Sequence, residues 1–241
     1  MAISSAPRHS GHTAHRIQPN LVAVLIAALA VVAIGVALLV HGGKSSSSGV
    51  QGSGVAATQT RAVAAFSSLD LAGSNNVNVI VGAPQSVVVA ADSNLISHVT
   101  TRVLAGALVI GDTGSFTTRT PMSVDVSVPS LAALNLSGDG QISVTGISTS
   151  QLTVTVSGSG LLSAAGTATR LDVTVSGDGQ AQLGQLIARD VQAVVSGSGL
   201  IQVTATASLD AAIPGTGAIV YSGNPSHVTT SITGTGTVSR G

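Results

Sequence analysis

The sequence predicts a mainly β fold: a parallel β-helix or β-solenoid with coils of about 19–20 residues, preceded by one N-terminal transmembrane helix. Three observations predict it. A Gly-x-Gly tripeptide recurs at a nearly constant spacing, apolar and polar residues alternate on both sides of each copy, and one long apolar run lies near the N-terminus. A fixed repeat period of this length is typical of a solenoid.

The Gly-x-Gly tripeptide occurs six times, and successive copies begin 20, 19, 20, 18 and 19 residues apart. No copy opens a helical pattern, so the tripeptide does not indicate a nucleotide-binding loop. We expect each copy to form a corner of the solenoid, where the backbone needs a positive φ or approaches another strand closely. The predicted corner glycines are Gly138, Gly140, Gly158, Gly160, Gly177, Gly179, Gly197, Gly199, Gly215, Gly217, Gly234 and Gly236.

At least two short strands are predicted for each coil, one before and one after the tripeptide. Every second residue there is apolar, which is the period of a strand with one buried face. We expect the strands of successive coils to stack in parallel, because a single coil buries too little apolar surface to fold alone. The predicted inward residues two positions before the tripeptides are Val156, Val175, Val195, Ile213 and Ile232, and those that follow the tripeptides include Ile142, Leu162, Ala181, Ile201 and Ile219.

These patterns divide the second part of the chain into two regions. Residues 137–241 are predicted to be the regular Gly-x-Gly solenoid. Residues 61–136 lack the tripeptide but keep the alternation, for example at 77–81 and 124–128, with turn residues between the runs. We predict that they form irregular N-terminal coils or a cap on the same solenoid, because terminal repeats are usually atypical.

The long apolar run, residues 21–40, predicts a transmembrane helix, because a helix of this length spans about 30 Å, the thickness of the hydrocarbon core of a bilayer. Arg8 and Arg16 precede the run, and only Lys44 follows it closely. The positive-inside rule then makes residues 1–20 a cytoplasmic tail. The expected location is the cell membrane, with a single span and an extracytoplasmic C-terminal domain.

Residues 41–60 are predicted to form a flexible linker, because Gly and Ser occur throughout their first half. A cleaved signal peptide is the alternative to an anchor, and cleavage would release a secreted domain. The small residues at 55–57 and 62–64 suit cleavage, although the apolar region of a signal peptide is usually about 7–15 residues long. At the level of sequence both interpretations stay open.

The composition excludes several function classes. Only 7% of the residues are charged, and nine basic residues balance nine acidic ones, which is not the basic footprint of a nucleic-acid-binding protein. Two Phe and one Tyr cannot form a base-stacking platform. Because the chain has no cysteine, it has no disulfide and no thiolate metal site.

Two pairs of carboxylates invite a functional interpretation. Asp139 and Asp178 are the middle residues of two tripeptides, where calcium would need several oxygens close together. Their coils are two apart, roughly 10 Å at about 4.8 Å per coil. Asp172 and Asp210 are likewise two coils apart on one outward column, where nothing is expected to raise one pKa for acid catalysis. We therefore expect no catalytic, cofactor-binding or metal-binding residue.

Several motifs resemble one known family. They are a run that starts at Phe66 and contains Asn76-Val77-Asn78-Val79, then Val128-Pro129-Ser130-Leu131, then Ser137-Gly138-Asp139-Gly140 and the later Ser-Gly-Ser-Gly and Ser-Gly-Asp-Gly copies. Over roughly residues 62–240, the chain resembles the bacterial domain of unknown function named putative auto-transporter adhesin head GIN domain. The resemblance implies an envelope-exposed β-helical domain, and it brings no catalytic residues.

From the predicted fold and the resemblance, we expect a membrane-anchored extracytoplasmic β-solenoid that is a structural or adhesion/binding module of the cell envelope, without catalysis and without a cofactor. The expected partners are the membrane, through residues 21–40, and a cell-wall glycan or another envelope protein, but no nucleic acid. The alternative is an envelope sensory or regulatory protein, whose outer domain senses a ligand and acts through a cytoplasmic partner.

Overall fold

The computed structural model describes residues 49–241, which form seventeen β-strands and no α-helix. Residues 1–48, which hold the predicted tail, the predicted transmembrane helix and the first part of the predicted linker, lie outside the described residues. Within residues 49–241, no helix is long and apolar enough to cross a membrane. The strands are β1 (Val50–Gln51), β2 (Ala56–Thr60), β3 (Ser68–Leu71), β4 (Asn76–Val81), β5 (Ser86–Asp92), β6 (Val99–Leu104), β7 (Ala107–Asp112), β8 (Phe116–Thr117), β9 (Ser123–Val128), β10 (Ala133–Leu136), β11 (Gln141–Val156), β12 (Leu161–Val175), β13 (Gln180–Val195), β14 (Leu200–Ile213), β15 (Ala218–Gly223), β16 (His227–Ile232) and β17 (Thr237–Arg240).

Apart from β1 and β8, which pair with each other, the strands stack into two walls. The long strands β11 to β14 supply one segment to each wall. The front wall holds β2, β5, β9, β4, the first segments of β11–β14, and then β15 and β17. The back wall holds β6, β7, β3, β10, the second segments of β11–β14, and then β16. Pairing is parallel from β9 onward in front and from β7 onward at the back, and about five turns are regular, so the predicted β-solenoid is confirmed.

The core lies between the walls and consists of the predicted inward columns. Val156, Val175 and Val195 stack in register and are each 0% exposed. The residues that alternate with the inward ones along each strand, such as Thr174 between Val173 and Val175, face outward and are half-buried. The last coil departs from the prediction, because Ile232 is 45% exposed. Among the described strands, none stacks on β16 to cover it.

The N-terminal region contains one coil that is interrupted by a long insertion. β3 and β4 form a rung directly below β10 and β11, so residues 66–81 belong to the regular stack. The chain then leaves the stack at Gly82 and returns near Val128, and the Gly82 N–H donates to the Val128 carbonyl at 2.9 Å. The insertion adds a further parallel rung, β7 and β9, and the antiparallel strands β5 and β6 beneath it.

The flexible linker predicted for residues 41–60 is wrong for residues 49–60, which are part of the fold. β1 pairs with β8, and β2 pairs antiparallel with β5. The composition misled the prediction because this segment buries almost no apolar side chain, and Val55 is 61% exposed. Asp92 and Asn94, far away in sequence, hold it instead: Asp92 accepts the Gly54 N–H, and Asn94 accepts the Ser53 N–H and donates to the Gln51 carbonyl.

Candidate binding face

The twelve predicted corner glycines stack at one edge of the solenoid, and close approach explains them. None has a positive φ in the described chain. A Cβ atom on Gly158 would overlap the carbonyl oxygen of Gly138, one coil earlier, and the other first glycines repeat this relationship. A Cβ atom on Gly199 would lie 2.5 Å from Cγ1 of Val175. Of the two reasons predicted for these glycines, backbone crowding is therefore the one that operates.

A seventh copy of this corner escaped the sequence analysis. Gly73-Ser74-Asn75 lies directly beneath Gly138-Asp139-Gly140, and the Gln141 N–H donates to the Asn75 carbonyl at 3.0 Å. The first glycines of the two copies are 65 residues apart, but the insertion over residues 82–128 accounts for 47 of them, and the remaining 18 fit the period. The signal was present, because Val77 follows Gly73 at the same offset at which Ile142 follows Gly138.

The outward surface of the back wall carries the one ion pair found among residues 49–241. The Arg170 guanidinium contacts both carboxylate oxygens of Asp172, at 3.0 and 2.7 Å, and also donates to Gln192 at 2.9 Å. The hydrogen bond with Asp172 raises the pKa of Arg170. Gln151 donates to the same carboxylate at 3.2 Å. Asp172 is therefore held in a polar network.

The structure does not bring either predicted pair of carboxylates together. Gln192 separates Asp172 from Asp210 in the register of the back wall, as the spacing predicted. Asp139 and Asp178 belong to corners with the Gly158 copy between them. Within residues 49–241, no group of three or more His, Cys, Asp or Glu side chains could hold a metal ion.

The outward surface of the front wall is uncharged over six consecutive strands. We call it the neutral face. The register aligns two outward residues from each of β4, the first segments of β11–β14, and β15. Six strands at roughly 4.8 Å make this face about 24 Å long. Its residues are Asn76, Asn78, Gln141, Ser143, Leu161, Ser163, Gln180, Gln182, Leu200, Gln202, Ala218 and Val220.

Three of the six amides of the neutral face are free, whereas those of the back wall are engaged. On the back wall, Asn135 donates to Asp70, and Gln151 and Gln192 belong to the Arg170 network. On the neutral face, the side chains of Asn76, Gln141 and Gln202 have no hydrogen-bond partner among residues 49–241. Asn78 donates to Asp125 on the neighbouring strand β9 at 2.8 Å, and Gln182 donates to Gln180 at 3.4 Å. The front wall therefore presents unused donors and acceptors to solvent.

Two shallow depressions lie on the neutral face. One, of about 350 Å³, crosses β11 to β14, where the small residues Ala165 and Gly184 leave room beside Ser163, Gln182 and Gln202. The other, of about 310 Å³, lies around Asn76, Asn78 and Gln141. Nothing in the sequence pattern singled out this wall.

The family of the chain follows from its motifs and its fold. Residues 65–225 match the family described as "Putative auto-transporter adhesin, head GIN domain". The chain belongs to this family. The match covers both the interrupted N-terminal coil and most of the regular corners, so the resemblance predicted from the Ser-Gly-x-Gly motifs is confirmed. No protein with a curated description matches the chain.

Solved structures of similar fold come from bacteria. A crystal structure of a "putative adhesin" from Bacteroides fragilis superimposes with a TM-score of 0.69 at 22% identity, and the match covers 80% of this chain and 100% of that one. A "putative lipid binding protein" from Parabacteroides distasonis gives a TM-score of 0.50 at 22% identity, over 80% of this chain and 99% of that one. At this identity the likeness establishes the shared fold.

Proposed function

We propose that this protein is an adhesion or binding module of the cell envelope, that it binds through the neutral face and that it performs no catalysis. The observation that carries the proposal is the row of amides and hydroxyls on that face, of which the amides of Asn76, Gln141 and Gln202 are free, with no charged residue over six strands. Such a surface suits recognition by hydrogen bonds along an extended ligand. The adhesin description of the family and of the Bacteroides fragilis structure supports this function.

We further propose that residues 21–40 anchor the protein in the cell membrane, with residues 1–20 in the cytoplasm and the solenoid outside. The apolar run and its flanking arginines support an anchor. The fold adds a second argument, because the small-residue stretch at 55–57 lies around the start of β2. Cleavage after Ala57 would remove β1 and the Gly54 N–H that Asp92 accepts. A released domain cut there would lack part of its fold.

The binding function is tested with a matched pair of variants on one strand. Ser163 lies outward on the front wall and Thr174 outward on the back wall, and both belong to β12 and are half-buried. Ser163→Glu places a charge in the middle of the neutral face, so we expect it to abolish sedimentation of the full chain with purified cell-wall sacculi. Thr174→Glu should leave sedimentation unchanged. Equal binding by both variants and the parent chain would contradict the proposal.

A further inference from the structure

We infer that the ligand of the neutral face is an uncharged polysaccharide that lies along the solenoid axis; this inference rests on the proposed function of that face. Three features of the described residues identify the class of ligand. They are the separation of charge between the walls, the chemistry of the free side chains, and the repeating geometry of the face.

The distribution of charge between the two walls indicates an uncharged ligand. On the back wall, Arg170, Asp172, Asp190 and Asp210 occupy outward positions, whereas the twelve outward positions of the neutral face hold none. An anionic polymer would find no cation on the neutral face, and a basic partner would find its complement on the back wall. Because ordinary salt screens only interactions between charges, binding to the neutral face should be insensitive to ionic strength.

The free side chains select hydroxyl groups. Each Gln or Asn amide offers a carbonyl acceptor and an NH₂ donor, and each Ser hydroxyl offers both roles. Sugar hydroxyls are donors and acceptors as well, so the free amides of Gln141 and Gln202 can each form paired hydrogen bonds with them. No aromatic residue lies on this face, so recognition depends on hydrogen bonds without ring stacking.

The repeating geometry of the neutral face indicates that its ligand is a polymer. Equivalent positions recur at every rung, as in the column Ser143, Ser163, Gln182 and Gln202. The depression over β11 to β14 runs across the same rungs and is lined by the small residues Ala165 and Gly184. A single sugar meets one or two rungs, and a chain meets all of them. We therefore expect affinity to rise steeply with chain length, because each hydrogen bond contributes only modestly.

The experiment measures binding of the full chain, in mild detergent, to three uncharged probes and one charged probe: dextran, a soluble β-glucan, N-acetylated chito-oligosaccharides of two and six sugars, and alginate. We expect at least one uncharged probe to bind. A long form of that probe should bind at least tenfold more tightly than a short form of it. The affinity should be unchanged between about 0.05 and 0.5 M NaCl. Gln182→Ala combined with Gln202→Ala should weaken it at least tenfold, and Gln59→Ala, an exposed amide on β2, should not.

Each contrary result has a defined meaning. If no uncharged probe binds, or if alginate binds in a salt-dependent manner and competes with them, the inference is wrong. If the parent chain then still binds sacculi, and Ser163→Glu abolishes that binding, the proposed function stands with another ligand, such as a protein. If the chain associates with itself, and Ser163→Glu abolishes this self-association, the ligand of the neutral face is a second copy of the chain and the inference is wrong. Loss of both sacculus and polysaccharide binding would overturn the proposed function as well.

Discussion

Gly158 lies so close to the carbonyl oxygen of Gly138, one coil earlier, that a Cβ atom at position 158 would overlap that oxygen. The same relationship links each first glycine to the one below it, so the corner is a column of backbones with no space for side chains. A residue larger than glycine must push two coils apart. The recurring tripeptide is thus explained by packing between coils.

Gly158→Ala should therefore destabilise the solenoid by about 1–3 kcal/mol, the usual cost of forcing an extra methyl group into a packed site. Gly184 provides the matched control, because a Cβ atom there would meet nothing within 4 Å and its φ is not positive. Gly184→Ala should be neutral or slightly stabilising. Urea unfolding followed by circular dichroism measures both changes, and equal stability of the two variants would contradict the crowding argument.

Val175→Asp should abolish cooperative unfolding, because Val175 is fully buried between Val156 and Val195 and an aspartate there would have no partner. Thr174→Asp, one residue earlier on β12, should leave the fold intact because Thr174 faces outward. Thermal unfolding scans of the two variants make the comparison. If both variants unfold like the parent protein, the assignment of inward and outward positions is wrong.

The regular part of the fold could be predicted because it depends on local signals that repeat. The alternation of Leu152, Val154 and Val156 fixes one inward face, and the tripeptide that follows fixes the corner. Each coil repeats both signals, so an error in one coil would conflict with the others. Stacking in parallel then follows from the need of every coil for neighbours.

The remaining parts depend on contacts between residues far apart in sequence. The corner at Gly73 was missed because an insertion of 47 residues, 82–128, breaks the period. The free amides of the neutral face could not be predicted for a related reason. Its uncharged positions can be counted in the sequence, but only the structure shows that Gln192 is engaged by Arg170 while Gln202 is free.

An anchor in residues 21–40 predicts a specific topology. Protease added to intact cells should remove the solenoid and leave a small membrane-bound stub that begins with Met1. The N-terminal sequence of the stub and its sedimentation with membranes provide the measurement. Release of the whole domain into the medium without protease, with a new N-terminus at or before residue 65, would instead indicate a cleaved signal peptide.

The Arg170–Asp172 ion pair should contribute little to stability, because its side chains are 50% and 25% exposed and water screens them. Arg170→Ala should lower the free energy of unfolding by about 0.5–1 kcal/mol in dilute buffer and by less in 1 M NaCl. Arg102→Ala, at an exposed position on β6, should have no effect at either salt concentration. A large, salt-independent loss for Arg170→Ala would show that the guanidinium acts through packing instead.

The last prediction concerns Asp92, whose buried carboxylate fastens residues 49–60 to the rest of the fold. Burial by itself raises the pKa of Asp92, but the carboxylate accepts the N–H groups of Arg119 at 2.8 Å, Thr120 at 3.2 Å and Gly54 at 2.7 Å. These hydrogen bonds favour the charged form, and the pKa is lowered below 3.8. The native state is therefore stabilised while the carboxylate is ionised.

Because the pKa of Asp92 is lower in the folded protein than in the unfolded chain, its contribution to stability is complete above about pH 5 and decreases as the pH falls through the lowered value. Asp92→Asn should lower the melting temperature at pH 7 and speed hydrogen exchange in β1 and β2, since the amide NH₂ would face backbone N–H groups. The difference in melting temperature between Asp92→Asn and the parent protein should shrink below pH 3.8. Asp139→Asn, at an exposed corner, should change neither quantity, and a pH-independent difference for Asp92→Asn would contradict the role of its charge.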